Sequence, residues 1–337
     1  MTVPTLAFFN NKGGVGKTSL IYHTAWMYSD LGHRVLAVDL NPQANLTAAM
    51  VTEEKLVELW EYSAWEERTL FDAIQPLMRG VGDVKTPYLE SIGENLELVV
   101  GDLAISNFED ELASQWPLCL DGRERAFRVI SAFHRCIQLA ASKANADVVV
   151  IDLGPNLGAI NRAALIASQF LVIPVAPDLF SLQGLQNLGP AVRKWQTEWA
   201  ARISKNPSRE LELPTSPMQP SGYVVLQHSV RLDRPMQAYD RWMSRIPAIY
   251  AEVVLDTTTK ATHPKDDPNC LGLLKRYGSL MPMAQEARKP IFHLKPADGA
   301  LGTHAKAARD ARADFEAVAR SIAAHSWLPE DRQGRPR

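Results

Sequence analysis

The sequence has few cysteines and lacks the features of a secreted or membrane-spanning chain. Its 337 residues include three cysteines with no Cys-x-x-Cys pair, so neither a disulfide framework nor a zinc or iron–sulfur site is predicted. The N-terminus has no basic segment followed by an apolar one, and no apolar run approaches the length of a membrane span. We therefore expect a reducing, cytoplasmic location and no membrane partner.

An excess of charge of one sign is also missing, because 36 Lys and Arg face 38 Asp and Glu, for a formal net charge of -2. This balance disfavours nucleic-acid binding by the whole surface but permits a local basic patch. Hydrophobic residues make up 46% and charged residues 22%, the proportions of a folded rather than a disordered protein. The length allows one large domain or two ordinary ones.

A glycine-rich loop lies between a short apolar strand at residues 5–9 and a predicted helix at residues 20–31. The glycines let several backbone N–H groups point at one anion, and the following helix adds the positive end of its dipole. The pattern predicts a phosphate-binding loop in which Lys17 reaches the terminal phosphates and Thr18 ligates magnesium. The other predicted nucleotide contacts of this loop are Gly13, Gly14, Val15, Gly16 and Ser19.

The loop departs from the standard Walker A motif, because Asn11 replaces a glycine and a second lysine precedes the glycines, so that the loop carries two lysines, Lys12 and Lys17. Their spacing resembles the deviant Walker A motif of the ParA/MinD family of P-loop ATPases. The resemblance implies an α/β fold, doubly wound around a mostly parallel sheet, with ATP and Mg²⁺ as ligands. It also implies a homodimer that forms on ATP binding, in which Lys12 reaches the nucleotide of the partner chain.

Two aspartates that follow predicted strands extend the implied site. Residues 39–47 resemble the family's switch I, with Asp39 as a catalytic and metal-binding candidate. Asp152 ends the apolar run 147–152 and resembles the Walker B aspartate that holds magnesium. The second switch I aspartate is replaced by Asn41, a catalytic candidate that can bind a water but cannot accept its proton. A slowed enzyme and a tolerated variant with normal activity both remain open.

Two residues are candidates for contact with the adenine. Gln227 ends a predicted strand at residues 223–227, and Pro282 lies in a segment at residues 281–292 that resembles the family's final strand and loop. Ordinary strand-end and loop chemistry explains both residues equally well. The resemblance alone carries these two assignments.

The C-terminal region is the basic part of a mildly acidic chain. Residues 276–325 contain eight Lys and Arg and five Asp and Glu, whereas the first 275 residues contain 25 basic and 31 acidic ones. The resemblance implies a salt-sensitive grip on DNA phosphates without sequence preference. A solvated helix face with ion pairs such as Lys306 with Asp310 is the alternative. The candidate DNA-binding residues are Arg276, Arg288, Lys289, Lys306, Arg309 and Arg312.

A single domain is predicted over residues 1–328, followed by a flexible tail at 329–337. No helix-turn-helix precedes the first strand, which disfavours operator binding, and no amphipathic membrane helix ends the chain. An amphipathic helix is predicted within the first of three insertions, where it could bind a partner or cover the sheet. The insertions lie near residues 51–92, 204–221 and 256–270.

Two functions from different classes remain open. The first is a dimerising ATPase that partitions DNA or positions another cargo, with slow hydrolysis that an activating partner protein stimulates, at the nucleoid when it is bound to DNA. The second is a nucleotide-gated scaffold or sensor in which Asn41 makes hydrolysis negligible. Metal-cluster carriers need paired cysteines, and amidotransferase-type synthetases give Lys12 no role, so both rank lower.

Overall fold

The fold is built on an eight-stranded sheet in a computed structural model that describes residues 2–61, 67–228 and 236–328. The strands lie in the order β3-β4-β2-β5-β1-β6-β7-β8, and neighbours are parallel except β3 with β4. The predicted doubly wound, mostly parallel α/β fold is confirmed. The predicted tail at 329–337 lies outside the described residues. The strands are β1 Thr5–Phe8, β2 Val35–Asp39, β3 Glu90–Gly93, β4 Leu96–Val99, β5 Val148–Asp152, β6 Phe170–Val175, β7 Gln219–His228 and β8 Cys270–Lys275.

Helices cover both faces of the sheet. Helices α4 to α9 and α11 pack on one face, and α1, α2, α3, α12 and α13 pack on the other. Among the described helices, none is both long and apolar enough to cross a membrane. The helices are α1 Lys17–Asp30, α2 Asn45–Met50, α3 Glu53–Glu61, α4 Leu70–Met78, α5 Phe108–Leu118, α6 Glu124–Ile130, α7 Ala132–Lys143, α8 Ala159–Ile166, α9 Leu179–Ile203, α10 Met236–Met243, α11 Ile246–Val253, α12 Leu280–Ala287 and α13 Thr303–Ala324.

The central strands are apolar throughout because both faces of the sheet are covered. In β5, Val149 and Ile151 enter one core, whereas Val148 and Val150 enter the other. The carboxyl ends of β1, β2, β5 and β6 then meet at one edge of the sheet. Ligands bind at this edge in open α/β sheets, and the glycine-rich loop lies there.

The prediction of a final strand within residues 281–292 is wrong. That segment forms α12 and a short 3-10 turn. The last described strand is β8, which begins at Cys270, the final residue of the predicted 256–270 loop. The strand is short and contains Gly272, where an added Cβ would stand 2.5 Å from Val318 Cγ2 of α13. Close packing against α13 therefore fixes where β8 lies. The pattern of apolar residues along the sequence does not reveal this packing. The last described helix, α13, buries a face that includes Phe315.

The 51–92 segment contains more structure than the one predicted amphipathic helix. It includes α3, α4 and the edge strand β3, which pairs antiparallel with β4. Leu59 of α3 and Ile74 of α4 are fully buried in the two cores. These contacts favour the sheet-covering role for this part of the chain.

Candidate functional site

The loop between β1 and α1 has an open, glycine-lined surface. Gly14 and Gly16 have φ angles of 71° and 96°, in the left-handed region that favours glycine. A Cβ at Gly13 or Gly14 would meet nothing within 4 Å, whereas Val15 is buried. No side chain among the described residues caps the first turn of α1, so its N–H groups are available to an anion.

Lys17, the first residue of α1, is buried between this loop and the end of β5. Its Nζ donates to the backbone oxygen of Leu153 and lies 4.0 Å from Asp152 Oδ1. Burial lowers the pKa of Lys17, while the charges of Asp152 and Asp39 oppose that change. An anion at the loop would therefore compete with Leu153 for this ammonium group.

Thr18 and Asp152 meet directly, as the sequence predicted for a magnesium site. Thr18 Oγ1 donates to Asp152 Oδ2 at 2.8 Å. Asp152 is fully buried, and its Oδ1 has no hydrogen-bond donor among the described residues. Burial raises the pKa of Asp152, and Lys17 and Thr18 oppose that rise. A free carboxylate oxygen beside a hydroxyl suits a hard divalent cation.

Asp39 lies beside Asp152 in the β2–β5 register and is also buried. Its Oδ2 accepts from Thr47 N at 2.8 Å and Thr47 Oγ1 at 2.9 Å, and its Oδ1 accepts from Asn41 N at 3.1 Å. Burial and the nearby Asp152 charge raise the pKa of Asp39 to about 7, against these hydrogen bonds. Asp39 therefore anchors switch I. Its metal-binding role stays a prediction, because an Asp39 oxygen that already accepts hydrogen bonds would also have to ligate the metal.

Asn41 lies where switch I meets switch II, the loop at residues 153–158. Its side chain is buried, and its Oδ1 accepts from Gln43 N at 3.1 Å. The same oxygen lies 3.5 Å from where a Cβ of Gly154 would stand. Asn161 of α8 donates its Nδ2 to Gly154 O at 2.9 Å. Two amide side chains therefore lie close to Gly154, Asn41 from switch I and Asn161 from α8.

Lys12 is bonded within its own chain. Its Nζ lies 2.5 Å from Asp178 Oδ2, and the two side chains are 25% and 36% exposed. Asp178 also caps α9, because its Oδ1 accepts from Ser181 N at 2.9 Å. Asp178 lies 166 residues from Lys12 in the sequence, so no local pattern predicts this contact. The predicted contact of Lys12 with a partner's nucleotide stays a prediction.

A cleft of about 450 Å³ opens beside the glycine-rich loop, between α1, α2 and α12. Arg288, which follows α12, forms one side, and its Nη1 donates to Ala48 O at 3.3 Å and to Val51 O. The cleft is large enough for a nucleoside next to the phosphate loop. Its lining includes Thr18, Ser19, Tyr22, Met281, Gln285 and Arg288.

The predicted adenine contacts are only partly located. Pro282 lies in α12, and its neighbour Met281 lines the cleft instead. Gln227 lies near the end of β7, but its side chain is outside the described part of the structure. Helical spacing would have placed Met281, Gln285 and Arg288 on one face, had the segment been predicted as a helix.

The known proteins that resemble this chain share the region that holds the site. The sequence family described as an AAA domain matches residues 3–205, more than half of the chain. The chain belongs to the ParA/MinD family of P-loop ATPases. The cell division protein PomZ of Myxococcus xanthus is 31% identical over 194 residues, 57% of this chain and 52% of PomZ. The sporulation initiation inhibitor protein Soj of Bacillus subtilis is 31% identical over 189 residues, 56% of this chain and 64% of Soj.

Solved structures agree with this ParA/MinD assignment at the level of the fold. A putative plasmid partition protein from Borrelia burgdorferi, bound to AMPPNP, is 17% identical, with a TM-score of 0.59 over 95% of this chain and 98% of that one. At this identity the likeness concerns the fold alone. The matches to the two curated relatives span 52% and 64% of their length, so the activities of those whole proteins are not assigned to this chain by similarity.

The six basic residues predicted to bind DNA form two groups in this ParA-like chain. Lys289 pairs with Asp298 and Arg312 pairs with Asp30, each at 2.7 Å, and Arg288 binds the end of α2. The other group is exposed and forms no ion pair with any described residue, and the alternative Lys306–Asp310 pair is absent there. Its members are Arg276, Lys306 and Arg309.

The second group lies along one edge, where the turn after β8 packs on α13. Tyr277 OH donates to Asp314 Oδ2 at 3.0 Å, and Ser279 Oγ lies 3.0 Å from His304 Nε2. These contacts place the turn that contains Arg276 beside α13, the helix that carries Lys306 and Arg309. The DNA-binding role stays a prediction for all six residues. The three that have no acidic partner among the described residues lie on α13 and on the turn after β8.

Proposed function

We propose that this chain is a ParA-like ATPase that dimerises around ATP and partitions DNA or positions another cargo. The observation that carries the proposal is the arrangement of Lys17, Thr18 and Asp152 around the glycine-rich loop, in which Gly14 and Gly16 have left-handed backbone conformations. A cleft of nucleoside size lies beside this loop. Membership of the P-loop ATPase family supports ATP as the ligand. The names of PomZ and Soj, a cell division protein and a sporulation inhibitor, support a role in cellular organisation.

The loop would bind the triphosphate through its backbone N–H groups and Lys17. The ammonium group would exchange the neutral oxygen of Leu153 for a phosphate oxygen, which is the stronger partner for a buried cation. Thr18 and the free Oδ1 of Asp152 fit Mg²⁺ and would hold it. When bound, Mg²⁺ would neutralise part of the phosphate charge. The ribose and base would extend into the neighbouring cleft.

The two amides that flank Gly154 would position the attacking water rather than remove its proton. An Asn side chain donates and accepts hydrogen bonds but is not a general base near neutral pH. Phosphoryl transfer depends mainly on positioning and charge stabilisation, so slow turnover is compatible with Asn41. A partner protein or DNA would then provide the missing acceleration.

Replacing Asn41 with a carboxylate tests whether this position limits hydrolysis. We expect Asn41→Asp to raise turnover about tenfold or more, because a general base becomes available. The protein without Mg²⁺ should become less stable, since a third buried carboxylate would lie near Asp39 and Asp152. Steady-state ATP hydrolysis and thermal unfolding measure the two effects. Gln43→Glu, exposed and two residues away, is the control. An unchanged rate with normal ATP affinity would show that another group is limiting.

Steady-state ATP hydrolysis with and without non-specific duplex DNA tests the proposed function. Turnover that rises with DNA supports the positioning ATPase. Binding of ATP with no turnover in either condition would favour the nucleotide-gated scaffold, which the buried Asn41 supports as the second candidate. Absence of ATP binding would overturn both.

The three unpaired basic residues are expected to supply the DNA contacts. Reversal of Arg276, Lys306 and Arg309 to Glu should abolish DNA binding at physiological salt. Neutral variants should each lower the slope of log affinity against log salt by about 0.9. Fluorescence anisotropy across a salt series measures both effects. The matched control reverses three exposed basic residues elsewhere, Arg79, Arg123 and Lys205. Wild-type affinity and slope in the first variant would place the DNA contacts on another surface.

A further inference from the structure

We propose that Glu109 is a positioning residue that fixes the far end of switch II. Its carboxylate, on α5, accepts from the backbone N of Ala159 at 2.5 Å and from that of Ile160 at 2.8 Å. These are the first two residues of α8, which follows switch II directly. The cap comes from another helix, about 50 residues away in the sequence, so local sequence patterns do not reveal it.

The residue before α8 cannot cap the helix itself. Gly158 stands at the N-cap position and has no side chain, so the first N–H groups of α8 need another acceptor. Glu109 supplies a charged one, which also suits the positive end of the helix dipole. The charge-assisted bonds formed in this way are stronger than those of a neutral cap.

The contact depends on glycine at position 158. A Cβ added there would stand 2.5 Å from Glu109 Oε1 and 3.1 Å from Asn156 Oδ1. The backbone of Gly158 has φ -83° and ψ -177°, which any residue can adopt. The approach of Glu109, rather than backbone strain, therefore restricts this position.

Glu109 is carried by a helix that is itself firmly held. Leu112 is fully buried in the core, and its backbone oxygen accepts from Arg162 Nη2 of α8 at 3.3 Å. The guanidinium of Arg162 lies 4.2 Å from the ring centroid of Trp116, also on α5. Helices α5 and α8 therefore form one unit, and the carboxylate has little freedom to follow a moving loop.

Switch II is thus held at three points along its length. Lys17 binds Leu153 at its start, Asn161 binds Gly154 and Asn156 within it, and Glu109 binds the first residues of α8 directly after it. In the proposed function, ATP would draw Lys17 away from Leu153 and release the first point. Glu109 would keep the last point fixed, so that Gly154 moves about a defined pivot toward the phosphate. The catalytic part of this inference rests on the proposed function, whereas the structural part does not.

Amide hydrogen exchange of the full chain without nucleotide tests the structural part. We expect Glu109→Ala to speed the exchange of the Ala159 and Ile160 amides about ten- to a hundredfold. Glu109→Gln keeps one acceptor oxygen and should have an intermediate effect. Glu111→Ala is the matched control, because Glu111 lies on the same helix and pairs with Arg125 on the surface. Equal exchange in Glu109→Ala and wild type would overturn the proposal.

A double variant separates this contact from a general loss of stability. Gly158→Ala should also speed exchange at Ala159 and Ile160, because its methyl group displaces Glu109. Added to Glu109→Ala, it should have no further effect there, since both changes remove the same contact. Fully additive effects would show that the two residues act independently and would contradict the proposal.

Enzyme kinetics test the catalytic part. We expect Glu109→Ala to lower kcat about tenfold and leave the affinity for the Mg²⁺ complex of AMPPNP within about twofold of wild type. Glu109→Gln should recover part of kcat. An unchanged kcat, with faster exchange at α8, would reject the positioning role and leave a structural cap. If wild type binds no ATP, the proposed function fails, while the exchange experiment still decides whether Glu109 holds switch II.

Discussion

Lys17→Ala is expected to lower ATP affinity by at least about a hundredfold, because it removes a buried cation from the phosphate loop. No other basic side chain approaches Asp152 as an ion-pair partner in the described part of the chain, so nothing replaces the lost charge. Isothermal titration with ATP and Mg²⁺ measures the effect. Lys205→Ala, at an exposed lysine outside both the loop and the proposed dimer contact, is the control. Normal affinity in Lys17→Ala would reject the phosphate-loop assignment.

The same variant should show a pH-dependent loss of stability. Without Lys17, the pKa of Asp152 should rise further, because the opposing charge has gone. A carboxyl group whose pKa is raised on folding binds its proton more tightly in the folded chain, so stability falls as pH rises toward the folded pKa. Asp39 already has a pKa of about 7. Thermal unfolding at pH 6 and pH 8 should therefore show a larger deficit for Lys17→Ala at pH 8. An equal deficit at both values would place the carboxylates in a more polar environment.

Lys12→Ala is expected to abolish ATP-dependent dimerisation while leaving the monomer folded. The proposed dimer needs Lys12 at the partner's nucleotide, yet in one chain its ammonium group is bonded to Asp178. We expect dimerisation to break the internal pair, because the ammonium group would turn from Asp178 toward the phosphates of the partner's nucleotide. Light scattering with AMPPNP over a range of protein concentrations measures the dimer. A dimer that persists unchanged in Lys12→Ala would reject the sandwich.

Asp178→Asn is expected to strengthen ATP-dependent dimerisation, the opposite of Lys12→Ala. The amide oxygen can still accept from Ser181 N and keep the cap of α9, but the charge that holds Lys12 is lost. The ATP-dependent dimer should then form at a several-fold lower protein concentration, consistent with about 1 kcal/mol for a partly exposed ion pair. Weaker dimerisation of Asp178→Asn would instead assign Asp178 to the dimer contact itself. Asp310→Asn, an exposed aspartate on α13, is the charge-matched control.

Prediction from the sequence is weakest where contacts join distant parts of the chain. The predicted strand near Pro282 is wrong, because residues 280–287 form a helix whose Met281 lines the cleft, and the adenine contact of Pro282 stays a prediction. Arg288 is predicted to bind DNA because it is basic and lies in a basic region, and that role stays a prediction. Its guanidinium binds the backbone oxygen of Val51 at the end of α2, 237 residues away in the sequence. Composition reports the charge of a region but not the carbonyl groups that surround each side chain.

The sequence by itself determined the fold class and the glycine-rich loop between the first strand and the first helix. These features depend on consecutive residues, because glycine φ angles, helix starts and the apolar β5 run are set by local chemistry. Asp152 could be placed beside Thr18 for a general reason, since parallel strands bring their carboxyl ends to one edge. Only the tertiary structure decided that Lys12 bonds Asp178 and that Glu109 caps α8. These pairs join helices and loops whose approach is fixed by side-chain packing over the whole core, and no local pattern encodes it.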